Sequence, residues 1–239
     1  MKTKVPLKLT ILVMLLGFSI QTFSQLKNNN NMKDTKKETI GLLVIMKAKQ
    51  GKEKDVKNFL LSGLSLVNQE PQTESWFAFQ VDEKTFGIYD TFEIEAGRQA
   101  HLTGEVAKAL LANAGNLLEN FDAKTSIQPV EVIASHHKSG MQNNGLLVIM
   151  KAKKGKSRDV ESFLNVGKQL VGEESMTLSW YAIKLDDTTY AIFDTFEGDM
   201  GRDAHLTGKV AAALMENAPT ILEGFEASAI QKIAILASK

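Results

Sequence analysis

A stretch of roughly a hundred residues occurs twice in this chain, and that duplication limits the fold more than any other feature. With an offset of 104, Gly41–Ala123 aligns to Gly145–Ala227 without a gap, and 47 of 83 positions are identical. One residue then drops out, so Ile127-Gln128 matches Ile230-Gln231, and both copies end in apolar runs. Repeats of roughly 20–50 residues build solenoids, whereas a unit of about 100 is a small domain used twice.

Each copy opens on the same strand, Gly41–Lys49 and Gly145–Lys153. The consecutive apolar residues Leu42 to Met46 point alternately to two faces, so both faces must be covered. Helices of one repeat cover one face, and the sheet of the other repeat is available for the second. Val56, Phe59, Leu60, Gly63, Leu66 and Val67 recur at helical spacing and return unchanged 104 residues later. Ser75–Val81 and Thr85–Phe92 read as a hairpin around Asp82-Glu83-Lys84. Pairing 82 with 85 puts Phe77, Phe79, Val81, Phe86, Ile88 and Asp90 on the helix-facing side, with Tyr181 and Asp194 as their counterparts in copy two. The same register turns Trp76 and Trp180 toward the other sheet.

The next helix, from Glu95 to Ala114, contradicts itself if uninterrupted, because its two halves disagree about which side varies between the copies. A break at Thr103-Gly104 resolves this, since glycine disfavours helix interiors and threonine suits a cap. Gly97, Ala100 and His101 then face inward, with His101 aimed at Asp90. A short helical piece and a strand over Ile127–Ala134 complete the repeat as β-α-β-β-α-β, a ferredoxin-like order, with Ile230–Ala237 closing the second. The expected domains are residues 40–135 and 145–239, joined by a polar linker in which His136 and His137 are solvated.

The first 24 residues read differently. Lys2, Lys4 and Lys8 precede an uncharged apolar run from Leu9 to Ile20, and Ser24-Gln25 offers a cleavage point. This is the pattern of a signal peptide, with a run too short to span a bilayer. Residues 25–39 read as a disordered spacer, and Met32 stands as an alternative start. Cleavage removes three lysines and no acid, taking the net charge from zero to −3. That balance argues against a nucleic-acid partner, and a cysteine-free exported chain fits a periplasmic or secreted protein without a stable membrane anchor.

The chemistry-bearing residues concentrate in one motif, D-T-F-E-I-E-A-G-R-Q-A-H-L-T-G at 90–104 and D-T-F-E-G-D-M-G-R-D-A-H-L-T-G at 194–208. It contains the one histidine of each repeat. Two readings of Asp90–His101 and Asp194–His205 stay open: a carboxylate-oriented base that deprotonates a phenol, or a buried hydrogen bond that locks helix to strand. Arg98 and Arg202 either anchor an anionic substrate or pair with a nearby acid such as Asp90 or Glu93. Phe77, Phe79, Tyr181, Phe92 and Phe196 are the expected apolar substrate wall. No phosphate loop, nucleophile elbow or zinc spacing occurs.

An acid on the third strand followed by Ala-His on the next helix resembles the antibiotic biosynthesis monooxygenase domains, the family that includes quinol monooxygenases. The resemblance covers residues 40–134 and 145–238. It implies an α+β fold in which two ferredoxin-like repeats pack sheet to sheet as an intrachain dimeric barrel, a pseudo-dimer open to further self-association. It also implies cofactor-independent oxidation of a small aromatic or quinol, with no metal. The alternatives are a non-catalytic binding module of the same fold, or a heme-handling protein with His101 or His205 as axial ligand.

Overall fold

The computed structural model describes residues 38–239; the signal-peptide and Met32 readings lie outside them. The first repeat runs β1 (Ile40–Lys47), α1 (Glu53–Val67), β2 (Ser75–Gln80), β3 (Thr85–Phe92), α2 (Glu95–Leu102), α3 (Glu105–Leu117), α4 (Ala123–Ser126) and β4 (Ile127–His137). The second runs β5 (Asn144–Lys151), α5 (Ser157–Gly172), β6 (Thr177–Lys184), β7 (Thr189–Phe196), α6 (Asp199–Leu206), α7 (Lys209–Ile221), a 3-10 turn and β8 (Ile230–Ser238). The eight strands close into one antiparallel barrel in the order β1-β3-β2-β8-β5-β7-β6-β4, and helices cover its outside.

The last strand of each repeat carries the closure. β4 pairs with its own β1 and also with β6 of the other repeat, and β8 pairs with β5 and with β2. β4 therefore continues to His137 instead of ending at Ala134, with His136 opposite Trp180 and His137 opposite Ser179. The expected linker placement of the two histidines is corrected here, although the His137 side chain stays 40 % exposed. His137 donates from Nε2 to Glu38 at 2.6 Å, and Ser75 and Thr91 donate to the other oxygen of the same carboxylate. These strand pairings leave no sheet edge open between the repeats.

The hairpin register is also corrected. Trp76 lies opposite Asp90, Phe77 opposite Tyr89 and Gln80 opposite Phe86, one residue off the expected pairing. The cause is local: Asp82 Oδ1 accepts the backbone N–H of Lys84 and of Thr85, so Asp82 belongs to the turn and Val81 N–H bonds Thr85 O. A one-residue slip exchanges the faces of a strand. Trp76, Ala78, Phe86, Ile88 and Asp90 therefore face the helices, where the apolar members pack with Val56, Leu60 and Val106. Phe77, Phe79, Tyr89, Tyr181 and Phe193 fill the lumen instead, with Phe77–Phe193 centroids 5.2 Å apart and Tyr89–Tyr181 5.0 Å apart. Such pairs add about 0.5–1.5 kcal/mol each beyond burial.

One lumen contact differs between the copies in a compensating way. A Cβ on Gly87 would lie 2.2 Å from the Phe79 ring opposite it, whereas the second repeat sets Ile183 opposite Ala191. Gly87→Ala should cost about 1–3 kcal/mol through overpacking, and Phe79→Ile in the same chain should recover most of that. Denaturant midpoints check it; a double variant no more stable than Gly87→Ala would refute the pairing.

Candidate functional site

Strand alternation places Asp90 on the helix side of β3, fully buried at 1 % exposure. The break predicted at Thr103-Gly104 is present, with α2 ending at Leu102 and α3 starting at Glu105. The break leaves His101 in the last turn of α2, where a cation meets the negative end of the helix dipole. Its Nε2–H donates to Asp90 Oδ2 at 2.8 Å. Its Nδ1–H donates to a residue the sequence reading missed, Glu70, at 2.6 Å from Oε2, and Thr73 Oγ1 donates to the same oxygen at 3.0 Å. The second repeat reproduces the arrangement: His205 reaches Asp194 at 3.1 Å and Glu174 at 2.6 Å, with Thr177 donating to Glu174.

Gly104 makes room for this acid. A Cβ there would fall 2.5 Å from Glu70 Oε1, and one on Gly208 would fall 2.9 Å from Glu174 Oε1. Neither α3 nor α7 has a side-chain cap of its own, and the glutamates occupy the space beside their first turns. Gly97 and His101 are buried as expected, while Ala100 is exposed.

Two carboxylates on one imidazole decide its charge. Burial would lower the pKa of His101, but Asp90 and then Glu70 overrule it and raise it to about 10. His205 is raised to about 10 in the same way by Asp194 and Glu174. Burial raises the Asp90 and Asp194 carboxyls, against the pull of their histidines. The opposing shifts describe one shared proton system. The direction that geometry supports is a doubly protonated ring with both N–H groups donating. A ring in that state has no lone pair with which to take a proton from a substrate or to ligate a heme iron. The histidine base and the axial ligand are thus both at odds with the geometry.

The other expected residues divide. Phe92 and Phe196 stand against the imidazoles, with ring centroids at 5.4 and 5.3 Å. Phe77, Phe79 and Tyr181 lie across the sheet in the lumen and do not meet His101. Arg98 and Arg202 pair within their own helices with Glu95 and Asp199, not with Asp90 or Glu93.

Glu70 Oε1 and Glu174 Oε1 of the two clusters are buried without a hydrogen-bond partner, and so are four further atoms on the helix side: Asp90 Oδ1, Trp76 Nε1, Asp194 Oδ1 and Trp180 Nε1. These four belong to two cross-strand pairs, since Trp76 lies opposite Asp90 and Trp180 opposite Asp194. Beside Trp76 a cavity of about 30 Å³ lies between α1, α3 and the sheet, bounded by Phe59, Leu60, Leu66, Ile88 and Leu110. Among the described residues no group of three or more His, Asp or Glu side chains is placed to hold a metal. No helix among them is long and apolar enough to cross a membrane.

No family model matches the chain, and no curated protein matches it. Solved structures do. A putative monooxygenase of Fusobacterium nucleatum superposes with a TM-score of 0.72 at 13 % identity, covering 84 % of this chain and 94 % of its own. A putative monooxygenase of Lactobacillus acidophilus gives 0.71 at 8 %, with 84 % and 95 % covered. NE2512 of Nitrosomonas europaea, a protein of unknown function, is 42 % identical over 44 % of this chain and 98 % of its own, with a TM-score of 0.40. An anthrone oxidase-like protein gives 0.54 at 10 %, covering 85 % of this chain and 93 % of its own. With its closed barrel and ferredoxin-like halves, the chain shares the fold of these putative monooxygenases, carried as a tandem duplication in a single polypeptide.

Proposed function

We propose that the protein is an exported, cofactor-independent monooxygenase acting on a hydroxylated aromatic such as a quinol or an anthrone-like phenol. The supporting observation is repeated in each half: a tryptophan and an aspartate paired across neighbouring strands under the helices, with the indole N–H and one carboxylate oxygen both lacking a partner. Buried polar groups without partners call for an explanation. A phenolic ligand supplies both missing partners: its O–H donates to Asp90 Oδ1 while a ring oxygen accepts from Trp76 Nε1. The apolar walls suit the ring. The cavity holds about one water as it stands and reaches Trp76 but not Asp90, so binding requires α1 and α3 to part and open it toward the carboxylate.

In this reading Asp90 and Asp194 are the bases and the histidines are positioning residues. Burial raises the Asp90 carboxyl, which brings its basicity closer to that of a phenol. The His101 N–H fixes Oδ2, leaving Oδ1 for the substrate. The deprotonated, electron-rich ring then reduces O2. One oxygen atom becomes a carbonyl on a former CH2 carbon or its tautomer, and the other leaves as water with the two hydrogens of that carbon. Oxygen uptake with a panel of hydroquinones and anthrone tests this. Uptake should fall at least tenfold in Asp90→Asn/Asp194→Asn with the fold intact; undiminished uptake would remove the carboxylates from the chemistry. Tight ligand binding without oxygen uptake would instead establish a binding module of the same fold.

A further inference from the structure

A larger recess lies at the α6–α7 junction, where Leu206, Thr207 and Gly208 form part of its wall. It has a volume of about 490 Å³ and is lined by Leu206, Ala211, Ala212, Met215 and Ile230, with Lys232 as its charged member. This is within the roughly 300–1,000 Å³ of small-molecule sites, and an apolar wall with one polar anchor is their usual composition. Thr207, also at the wall, already donates its hydroxyl to Asp203 O and Ala204 O. The Lys232 ammonium is 3.9 Å from Asp203, and both side chains are more than half exposed. An ion pair of that length and exposure is worth little, so the ammonium remains available to an anion.

The duplication supplies an internal control. Where the second repeat has Ala212 and Lys232, the first has Lys108 and Pro129. Lys108 sets a charge on the same helix face and pairs with Glu105 at 2.7 Å, and Pro129 offers no cation. The second copy has thus lost a charge from the floor of the recess and carries one at its rim. Met215 is left 45 % exposed on the apolar floor.

We propose that this recess is a binding site for an amphiphilic carboxylic acid, its hydrocarbon body along Leu206, Ala212, Met215 and Ile230 and its carboxylate at Lys232. It goes beyond the oxidation proposed above and does not depend on it. Calorimetric titration of the full chain with decanoate, and with decanol as the uncharged probe, tests it. Decanoate should bind one per chain, at least tenfold more tightly than decanol. Ala212→Lys should abolish binding with an unchanged melting curve, and Lys232→Met should bring decanoate down to the level of decanol. No binding of decanoate, unaltered binding by Ala212→Lys, or equal affinity for the two probes would overturn the proposal. The same titration of Asp90→Asn/Asp194→Asn should be unchanged, which separates this site from the oxidation chemistry.

Discussion

His101→Ala should destabilise the protein by about 3–5 kcal/mol, and adding His205→Ala should leave it largely unfolded at room temperature. Removing the ring strands two carboxylates, Asp90 at 1 % and Glu70 at 16 % side-chain exposure. Breaking a buried charge cluster by deleting one member costs in that range, because the remaining charge is buried and uncompensated. Two such losses approach the whole stability of an ordinary domain, about 5–15 kcal/mol. Replacing the cluster with apolar residues behaves differently: His101→Leu with Asp90→Leu and Glu70→Leu should recover most of the loss, since no charge is left unpaired. Urea unfolding followed by circular dichroism measures both. A cost below about 1 kcal/mol for His101→Ala would mean that the triad is not a clamp.

The second large effect is loss of stability in alkali. Each imidazole is raised from an ordinary 6.5 to about 10 in the folded protein, so the folded state holds protons that the unfolded state releases. The stabilisation is fully present below about pH 6.5 and disappears as pH climbs through about 10. The expected slope between those limits is about 1.4 kcal/mol per pH unit from each ring. Asp90 and Asp194, raised by burial, act in the same direction. Glu38 acts oppositely. Burial would raise it, but His137 and the Thr91 and Ser75 hydroxyls take it down to about 2. Its stabilisation is present above about pH 4.5 and lost on acidification through about 2. Maximal stability should therefore fall between roughly pH 4.5 and 6.5, and a series of melting temperatures across pH 3–10 would show a curve falling on both sides. A flat profile from pH 6.5 to 10 would contradict the raised imidazoles.

Much of this was visible in the residues. The unbroken apolar run Leu42–Met46 required a cover on both faces, and a duplicated chain had a second sheet to give. The conflict between the halves of one helix located the break at Thr103-Gly104 and the inward histidine. Glu70 was hidden because it reads as the frayed end of a helix ahead of Pro71. Its one trace is that Glu70 and Thr73 return as Glu174 and Thr177 among neighbours that differ. The hairpin faces were exchanged because one side chain, Asp82, took two backbone N–H groups and lengthened the turn by a residue. His137 was misplaced because the strand that contains it is held by β6 of the other repeat, a partner that local pattern cannot reveal.

The account rests on each imidazole being a cation held by two acids, and side-chain nitrogen NMR of 15N-histidine protein reads that state directly. At pH 8 both nitrogens of His101 and His205 should show the shifts of protonated imidazolium, with each ring titrating near pH 10. Rings that are neutral at pH 8, with one unprotonated nitrogen and a midpoint near 6.5, would contradict it.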